Sequence, residues 1–324
     1  MATLRPYALK NPKTNTVVPG ALILSNIKPV SGDWFPVVEG IERNVVNPVS
    51  YDNTVKITYP SCVNSQRFGD YAKTFIQTKG YTPDNVVLSE SVCSDDIDGP
   101  IYSDIRNIGQ TPASQNDFLG PFMSGGLSGY PHTGILGIQA WGSHITNTTN
   151  GALFFINMPH IGISQSGNVG RIWRRGKSEA QSLTDNTCGA VATAATWVIG
   201  NASAPVYNTG VFANNDQHYK LCSILYANRA TILSTYNFVS TPSLYGASMK
   251  YCTELIRVAA NTFLTGASGI ISANVGPGID TFYCTGTFIN TDDGFNAYVD
   301  VTAFKKYNSV GGWVDLTTEF LAGL

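Results

Sequence analysis

The stretch Ala152-Leu153-Phe154-Phe155-Ile156-Asn157-Met158-Pro159-His160 decides the fold. From Ala152 to Met158 it is apolar with hardly a break and rich in aromatic residues. That is the pattern of a central strand buried on both faces, not of a half-exposed one. Asn85 to Val92, which contains Val86-Val87-Leu88-Ser89-Glu90-Ser91-Val92 and runs into Cys93, reads the same way. Thr281 to Ile289, carrying Cys284, reads as a further strand. Between these runs the period changes. Phe68, Tyr71, Ala72 and Phe75 share one face of a helix predicted over Phe68 to Lys79, which Gly80 stops. Residues 188–199 form a small-residue helix suited to close packing on a sheet. Met249, Cys252, Leu255, Ile256, Ala259 and Phe263 make a buried stripe at helical spacing, with Cys252 as a core residue. Alternating strands and helices predict an α/β fold: a single domain with a mostly parallel central sheet flanked by helices.

Working outward, residues 1–67 are rich in Asn, Pro, Val and Thr and carry short alternating pieces such as Thr54-Val55-Lys56-Ile57-Thr58-Tyr59. They are expected to be an irregular extension of loops and short strands wrapped on the main body, residues 68–324. Phe118 to Gly142 is dense in glycine (Gly120, Gly125, Gly126, Gly129, Gly134, Gly137 and Gly142) but lacks the strand-GxxxxGK[ST]-helix setting of a phosphate loop. Glycines at this density let backbones approach closely, so the segment is read as a packed wall beside a pocket.

With 324 residues the chain is long enough for a large core, and a formal net charge of -2 gives no reason to expect nucleic acid or an anionic membrane as partner. No unbroken apolar run approaches the roughly 18–20 residues of a membrane span. The N-terminus lacks the apolar core of a secretory signal. The six cysteines are scattered with no small-domain framework, so reduced thiols are expected. Together these predict a soluble intracellular protein, in the cytoplasm or in an organelle such as the chloroplast stroma if a transit peptide has been removed.

The chemistry gathers at element ends. Cys93 follows one strand and is succeeded by Ser94-Asp95-Asp96; His160 follows another; Cys188 opens the alanine-rich helix. Ligands collect at the carboxyl ends of strands in open α/β sheets, which places Cys93 and His160 at one crevice. A helix N-terminus favours thiolate over thiol, which prepares Cys188 to bind a metal. Two thiolates and an imidazole make a three-ligand zinc site with a fourth position for water. The separations are long, and a single Cys or His is more often a core or surface residue than a ligand. His132 and His144, in or beside the glycine-rich wall, compete as pocket residues, proton relays or substitutes for His160, while His218 looks like an exposed loop residue. A Cys–His–acid hydrolase is the other reading of the same residues, though it leaves one Cys without a role.

The chain resembles the limiting-CO2-inducible protein B family, also described as Cys-Gly-His-rich or theta-type carbonic anhydrases. The resemblance rests on Cys93-Ser94-Asp95-Asp96-Ile97-Asp98, Gly125-Gly126-Leu127-Ser128-Gly129-Tyr130-Pro131-His132-Thr133-Gly134 and Pro159-His160-Ile161-Gly162-Ile163-Ser164. Gly167-Asn168-Val169-Gly170, Cys188-Gly189-Ala190 and Phe288-Ile289-Asn290-Thr291 complete the series. It implies a beta-carbonic-anhydrase-like α/β fold, a homodimer, and reversible CO2 hydration by zinc hydroxide. Carried over by motif, the Zn2+ ligands are Cys93, His160 and Cys188, and the catalytic acid is Asp95. The arginine that pairs with Asp95 falls first on Arg106, with Arg171, Arg174 and Arg175 as alternatives, because Ile97 and Asp98 occupy the region where the beta class carries it. The CO2 pocket is expected to include Phe122, Leu127 and Tyr130. The resemblance also implies the alternative of a catalytically silent zinc-binding homologue within a CO2-concentrating assembly.

Overall fold

The computed structural model describes residues 9–10, 17–18, 48–82, 85–93, 119–123, 125–131, 137, 140, 151–173, 185–276, 278–292 and 297–324. Its strands are β1 (Leu9–Lys10), β2 (Val17–Val18), β3 (Val63–Asn64), β4 (Val86–Ser91), β5 (Leu119–Met123), β6 (Ala152–Asn157), β7 (His160–Gly162), β8 (Asp280–Asn290), β9 (Tyr298–Asn308) and β10 (Gly312–Asp315). Its α-helices are α1 (Pro48–Thr58), α2 (Ser65–Thr78), α3 (Gly189–Gly200), α4 (Asp216–Tyr226), α5 (Arg229–Thr235), α6 (Tyr245–Val275) and α7 (Thr317–Gly323).

An eight-stranded sheet runs in the order β10-β9-β8-β6-β4-β5, with β3 on β9 and β7 on β8. The half from β5 through β4 and β6 to β8 is parallel, as is the β7–β8 pair. β9 and β10 extend the sheet antiparallel. The fold is therefore the expected α/β architecture, an open sheet with helices on both faces.

The central strands are buried on both sides because each face meets its own helix. Ala152, Phe154 and Ile156 point with Val86 and Leu88 into a cluster that includes Phe68, Ala72, Phe75 and Ile76 of α2 and Phe320 of α7. Leu153, Phe155 and Val87 face the other way, against Leu264, Ala267 and Ile271 of α6. Phe75, Phe304 and Phe320 lock the first layer: Phe304 and Phe320 stack at 4.3 Å, and Phe75 meets both rings edge-on at 5.2 and 5.0 Å. Each such ring taken out of water stabilises the fold by up to about 3 kcal/mol.

α6 is longer than its sequence stripe, and the buried positions drift to Met249, Cys252, Ile256, Ala260, Leu264, Ala267 and Ile271. Ala259, Leu255 and Phe263 are only partly covered. The drift is that of a 3.6-residue helix, whose buried face rotates slowly along 31 residues. Residues Pro242–Ala273 are long and apolar enough to cross a membrane by length and composition, the one such helix among the described residues, but its apolar stripe packs on the sheet and on α3 and α4.

Two local expectations fail. Thr54 to Tyr59 lies in and just after α1, not in a strand: Val55 and Tyr59, one helical turn apart, are buried, while Ile57 is 83% exposed. Six residues of alternation fit either period, and packing chose the helical one. His218 sits on α4, 9% exposed, beneath the Phe212 ring. Asn215 caps α4 by accepting from the His218 N–H, so the Asn215-Asp216 pair that looked like a loop is a helix start.

Candidate metal centre

Register places the first two donors. Ser91, the last residue of β4, pairs with Asn157, the last of β6, so the chain leaves the sheet at the same edge in both. Cys93 follows two residues after β4 and His160 three after β6. Pro159 has no N–H for the ladder, so pairing is interrupted there and resumes in the same register, with His160 of β7 opposite Phe288, three residues beyond Thr285 on β8. His160 therefore opens a short strand beyond the central one.

Cys188 reaches the same edge as the N-cap of α3. Two backbone hydrogen bonds bring it there: Gly170 N–H donates to Gly162 O at 2.7 Å, and Thr187 N–H donates to Gly170 O at 2.9 Å. The approach is close enough that a Cβ on Gly162 would lie 2.1 Å from Thr187 Oγ1.

The result is a compact donor set. Cys93, His160 and Cys188 are all buried, and their ligand atoms lie within 4.8 Å of one another. Neither Cys93 nor Cys188 is in a disulfide. The Cys93 thiol is held far above its ordinary value of 9.0, first by its hydrogen bond with Cys188, then by burial, with His160 pulling the other way. Without a cation the Cys93 sulfur thus retains its proton; a bound cation would displace it.

Two neighbours orient the donors. His160 Nδ1–H donates to Asn290 Oδ1 at 2.7 Å, leaving Nε2 as the ring nitrogen available to a metal. Ser128 N–H donates to Cys93 Sγ at 3.0 Å. This N–H comes from the glycine-rich wall, which crosses the end of β4. Gly125 N–H donates to Glu90 O at 3.3 Å, and Ser91 Oγ–H donates to Gly129 O at 2.7 Å. Gly125 has no room for a side chain, since a Cβ would sit 2.1 Å from Val92 O. Residues 125–131 of the wall are thus packed backbone against the end of β4, as their glycines predict. Neither Asn290 nor Ser128 received a role from the sequence, although both lie in segments that carry the family resemblance.

The donor set fits a soft or borderline cation: two sulfurs and one imidazole nitrogen, with Asn290 holding the ring and the Ser128 N–H on the Cys93 sulfur. Asp95, Arg106, Arg174, Arg175, His132 and His144 lie outside the described residues. Arg171 is described: its guanidinium lies 3.9 Å over the Tyr245 ring, and Tyr245 in turn donates to Asn186 beside Thr187 and Cys188. Leu127 and Tyr130 border a cavity of about 40 Å³ together with Gln217, Lys220 and Leu221.

The profile of the limiting CO2-inducible proteins B/C beta carbonic anhydrases matches residues 63–308. The chain belongs to that family. Similar solved structures include PtLCIB4, described as a homolog of the limiting CO2-inducible protein LCIB, at 22% identity and a TM-score of 0.66, covering 81% of this chain and 98% of that one. LCIB itself is similar at 18% identity and a TM-score of 0.53, covering 79% of this chain and 94% of that one. These likenesses confirm the fold. No curated protein matches the sequence.

A second Cys–His pair exists on α4, where Cys222 Sγ lies 3.6 Å from His218 Nε2. Burial pushes the Cys222 thiol up to about 12 and lowers His218, so both stay neutral. That pair is core packing and prepares no thiolate nucleophile for a hydrolase.

Proposed function

We propose that the chain is a zinc-dependent carbonic anhydrase, a lyase (carbonate dehydratase) that interconverts CO2 and bicarbonate, and that it works as a homodimer. The observation that carries the reading is the buried Cys93, His160 and Cys188 set, with donor atoms within 4.8 Å, in a chain of this family. The dimer follows only from the likeness to the beta class.

Cys93 and Cys188 as thiolates and His160 through Nε2 would hold the ion. Zinc, when bound, supplies the Lewis acidity that makes water a nucleophile near neutral pH. Two thiolates cancel its formal charge and weaken that effect, so the groups around them matter. The Ser128 N–H draws electron density from Cys93 Sγ, and Asn290 fixes the His160 tautomer. Asp95, two residues after Cys93, is assigned to accept a hydrogen bond from the attacking water and aim its lone pair at carbon. Arg106 is assigned to hold that carboxylate off the ligand position. Leu127 and Tyr130 offer the apolar side on which CO2 would rest.

The test is rapid-mixing CO2 hydration by the purified chain, by the chelated chain and by Asp95→Asn. The expected results are about one zinc per chain, loss of hydration on metal removal, and an Asp95→Asn chain that keeps zinc but loses on the order of 10²-fold or more in rate. Full activity after complete metal removal overturns the reading. One zinc per chain with no hydration replaces it with the silent zinc-binding homologue.

A further inference from the structure

The turn that hydrogen-bonds Cys93 is held in an unfavourable shape. Ser128, fully buried, has φ 58° and ψ 17°, a left-handed conformation that side chains other than glycine rarely adopt. Gly129 follows at φ 75°. Such a backbone persists only where its surroundings over-determine it, and strain of this kind collects at functional sites. Within the turn, Gly126 N–H donates to Tyr130 O and Gly129 N–H to Gly126 O, both at 3.1 Å. From β4, Ser91 Oγ–H grips Gly129 O.

From the opposite side the clamp is Gln217, in the first turn of α4. Leu127 N–H donates to Gln217 Oε1 at 2.6 Å, one residue before the N–H that serves Cys93. The fit is tight, since a Cβ on Gly126 would lie 2.6 Å from the same oxygen. Gln217 is itself part of the lining of an open cleft of about 580 Å³ with Tyr207, Asn208, Asn214, Asn215 and Asp216. It is therefore not a core-filling side chain. Its amide oxygen accepts from the Leu127 N–H, the neighbour of the Ser128 N–H that meets Cys93.

We propose that Gln217 is a positioning residue of the metal centre: through Leu127 it locks the left-handed Ser128 turn so that the Ser128 N–H meets the Cys93 sulfur. The inference rests on the metal-binding reading above, and it adds a residue 124 positions from Cys93 that touches neither metal nor substrate. Loss of the clamp would let the turn relax toward an ordinary backbone, withdraw the N–H and leave Cys93 a poorer-placed, more basic ligand.

The experiment compares the unaltered chain with Gln217→Met, which keeps length but has no amide, and Gln217→Glu, which keeps an acceptor oxygen. Three quantities are read: Zn2+ affinity by chelator competition, the sulfur-to-Co2+ charge-transfer band of the cobalt-loaded chain, and hydrogen exchange at Leu127 and Ser128 in the metal-free chain. Gln217→Met should bind zinc roughly 10–100-fold more weakly, the range for lost second-shell partners, shift the cobalt band and exchange both amides faster. Gln217→Glu should restore all three close to the unaltered values. Unaltered zinc affinity and cobalt band in Gln217→Met overturn the proposal. So does a Gln217→Met chain whose metal-free form loses global stability while its cobalt band is unshifted, since that is a purely structural role. If the unaltered chain takes up neither zinc nor cobalt, the metal reading itself has failed, and faster exchange alone could not rescue the role assigned here.

Discussion

Replacing Asn290 with leucine isolates the group that aims His160. The two side chains are nearly isosteric, so the change removes the acceptor of a 2.7 Å hydrogen bond without opening a cavity. The backbone role of Asn290, accepting from Ile163 N–H at 2.9 Å, is untouched. His160 is fully buried and Asn290 is 3% exposed, so water cannot easily replace the lost partner. A buried N–H left without an acceptor costs about 1–3 kcal/mol. Independently, removing the second-shell partner of a metal-bound histidine lowers affinity roughly 10–100-fold. At about 1.36 kcal/mol per decade that is ~1.4–2.7 kcal/mol. The unpaired N–H lowers fold stability with or without metal, whereas the lost orientation of the ring sets the binding change, so Asn290→Leu should weaken Zn2+ binding by one to two orders of magnitude. Asn290→Asp, which retains an acceptor, should stay much closer to the unaltered chain. Chelator competition at fixed pH measures both. An Asn290→Leu chain binding zinc within about twofold of the original would refute the claim that this hydrogen bond sets the ligating nitrogen.

Cys188→Ala should abolish stoichiometric zinc by elemental analysis, whereas Cys252→Ala should retain it, because the Cys252 thiol is buried on α6 and held up at about 12. Zinc affinity should rise with pH through the neutral range, since the Cys93 thiol is raised above 9.0 and a proton must leave for the metal to bind; a pH-independent affinity would exclude thiolate ligation. In the metal-free chain the same upward shift has the opposite sign: its stabilising contribution is complete below 9.0 and is lost as pH rises above it, which denaturant titration across that window reads directly. Gly125→Ala, whose Cβ would meet Val92 O at 2.1 Å, should destabilise by about 1–3 kcal/mol or more in denaturant unfolding. Gly266→Ala, at an exposed position of α6 with nothing within 4 Å, should stabilise by up to about 1 kcal/mol in the same assay.

The central strands were legible because burial on both faces leaves a mark: β6 is apolar for five of its six residues, β4 opens on Val86-Val87-Leu88, β8 carries Phe282-Tyr283-Cys284, and all their residues are buried. α2 was legible because Phe68, Ala72, Phe75 and Ile76 repeat at helical spacing against one partner surface. α1 was misread because, among its described side chains, the inward face shows Val55, with Tyr59 one turn on. His218 was misread because Asn, Asp and Gln begin helices as readily as they form loops. The helical stripe of α6 was found, but its inner edge shifted from Ala259 to Ala260 because a straight helix drifts past any short repeat.

The sequence by itself placed Cys93 and His160 at strand ends and Cys188 at a helix start, with His132 and His144 open as alternatives to His160, and it showed that the residues between them form an α/β sheet. Only the tertiary structure decided how those donors are held. The Ser91–Asn157 register brings Cys93 and His160 to one edge, and the start of α3 adds Cys188 there. Asn290 selects the His160 nitrogen, and the Ser128 N–H, clamped through Leu127 by Gln217, meets Cys93. The physical reason is that a backbone N–H carries no signature of its own in the sequence. Its role is created when the chain places it within hydrogen-bond reach of a buried sulfur.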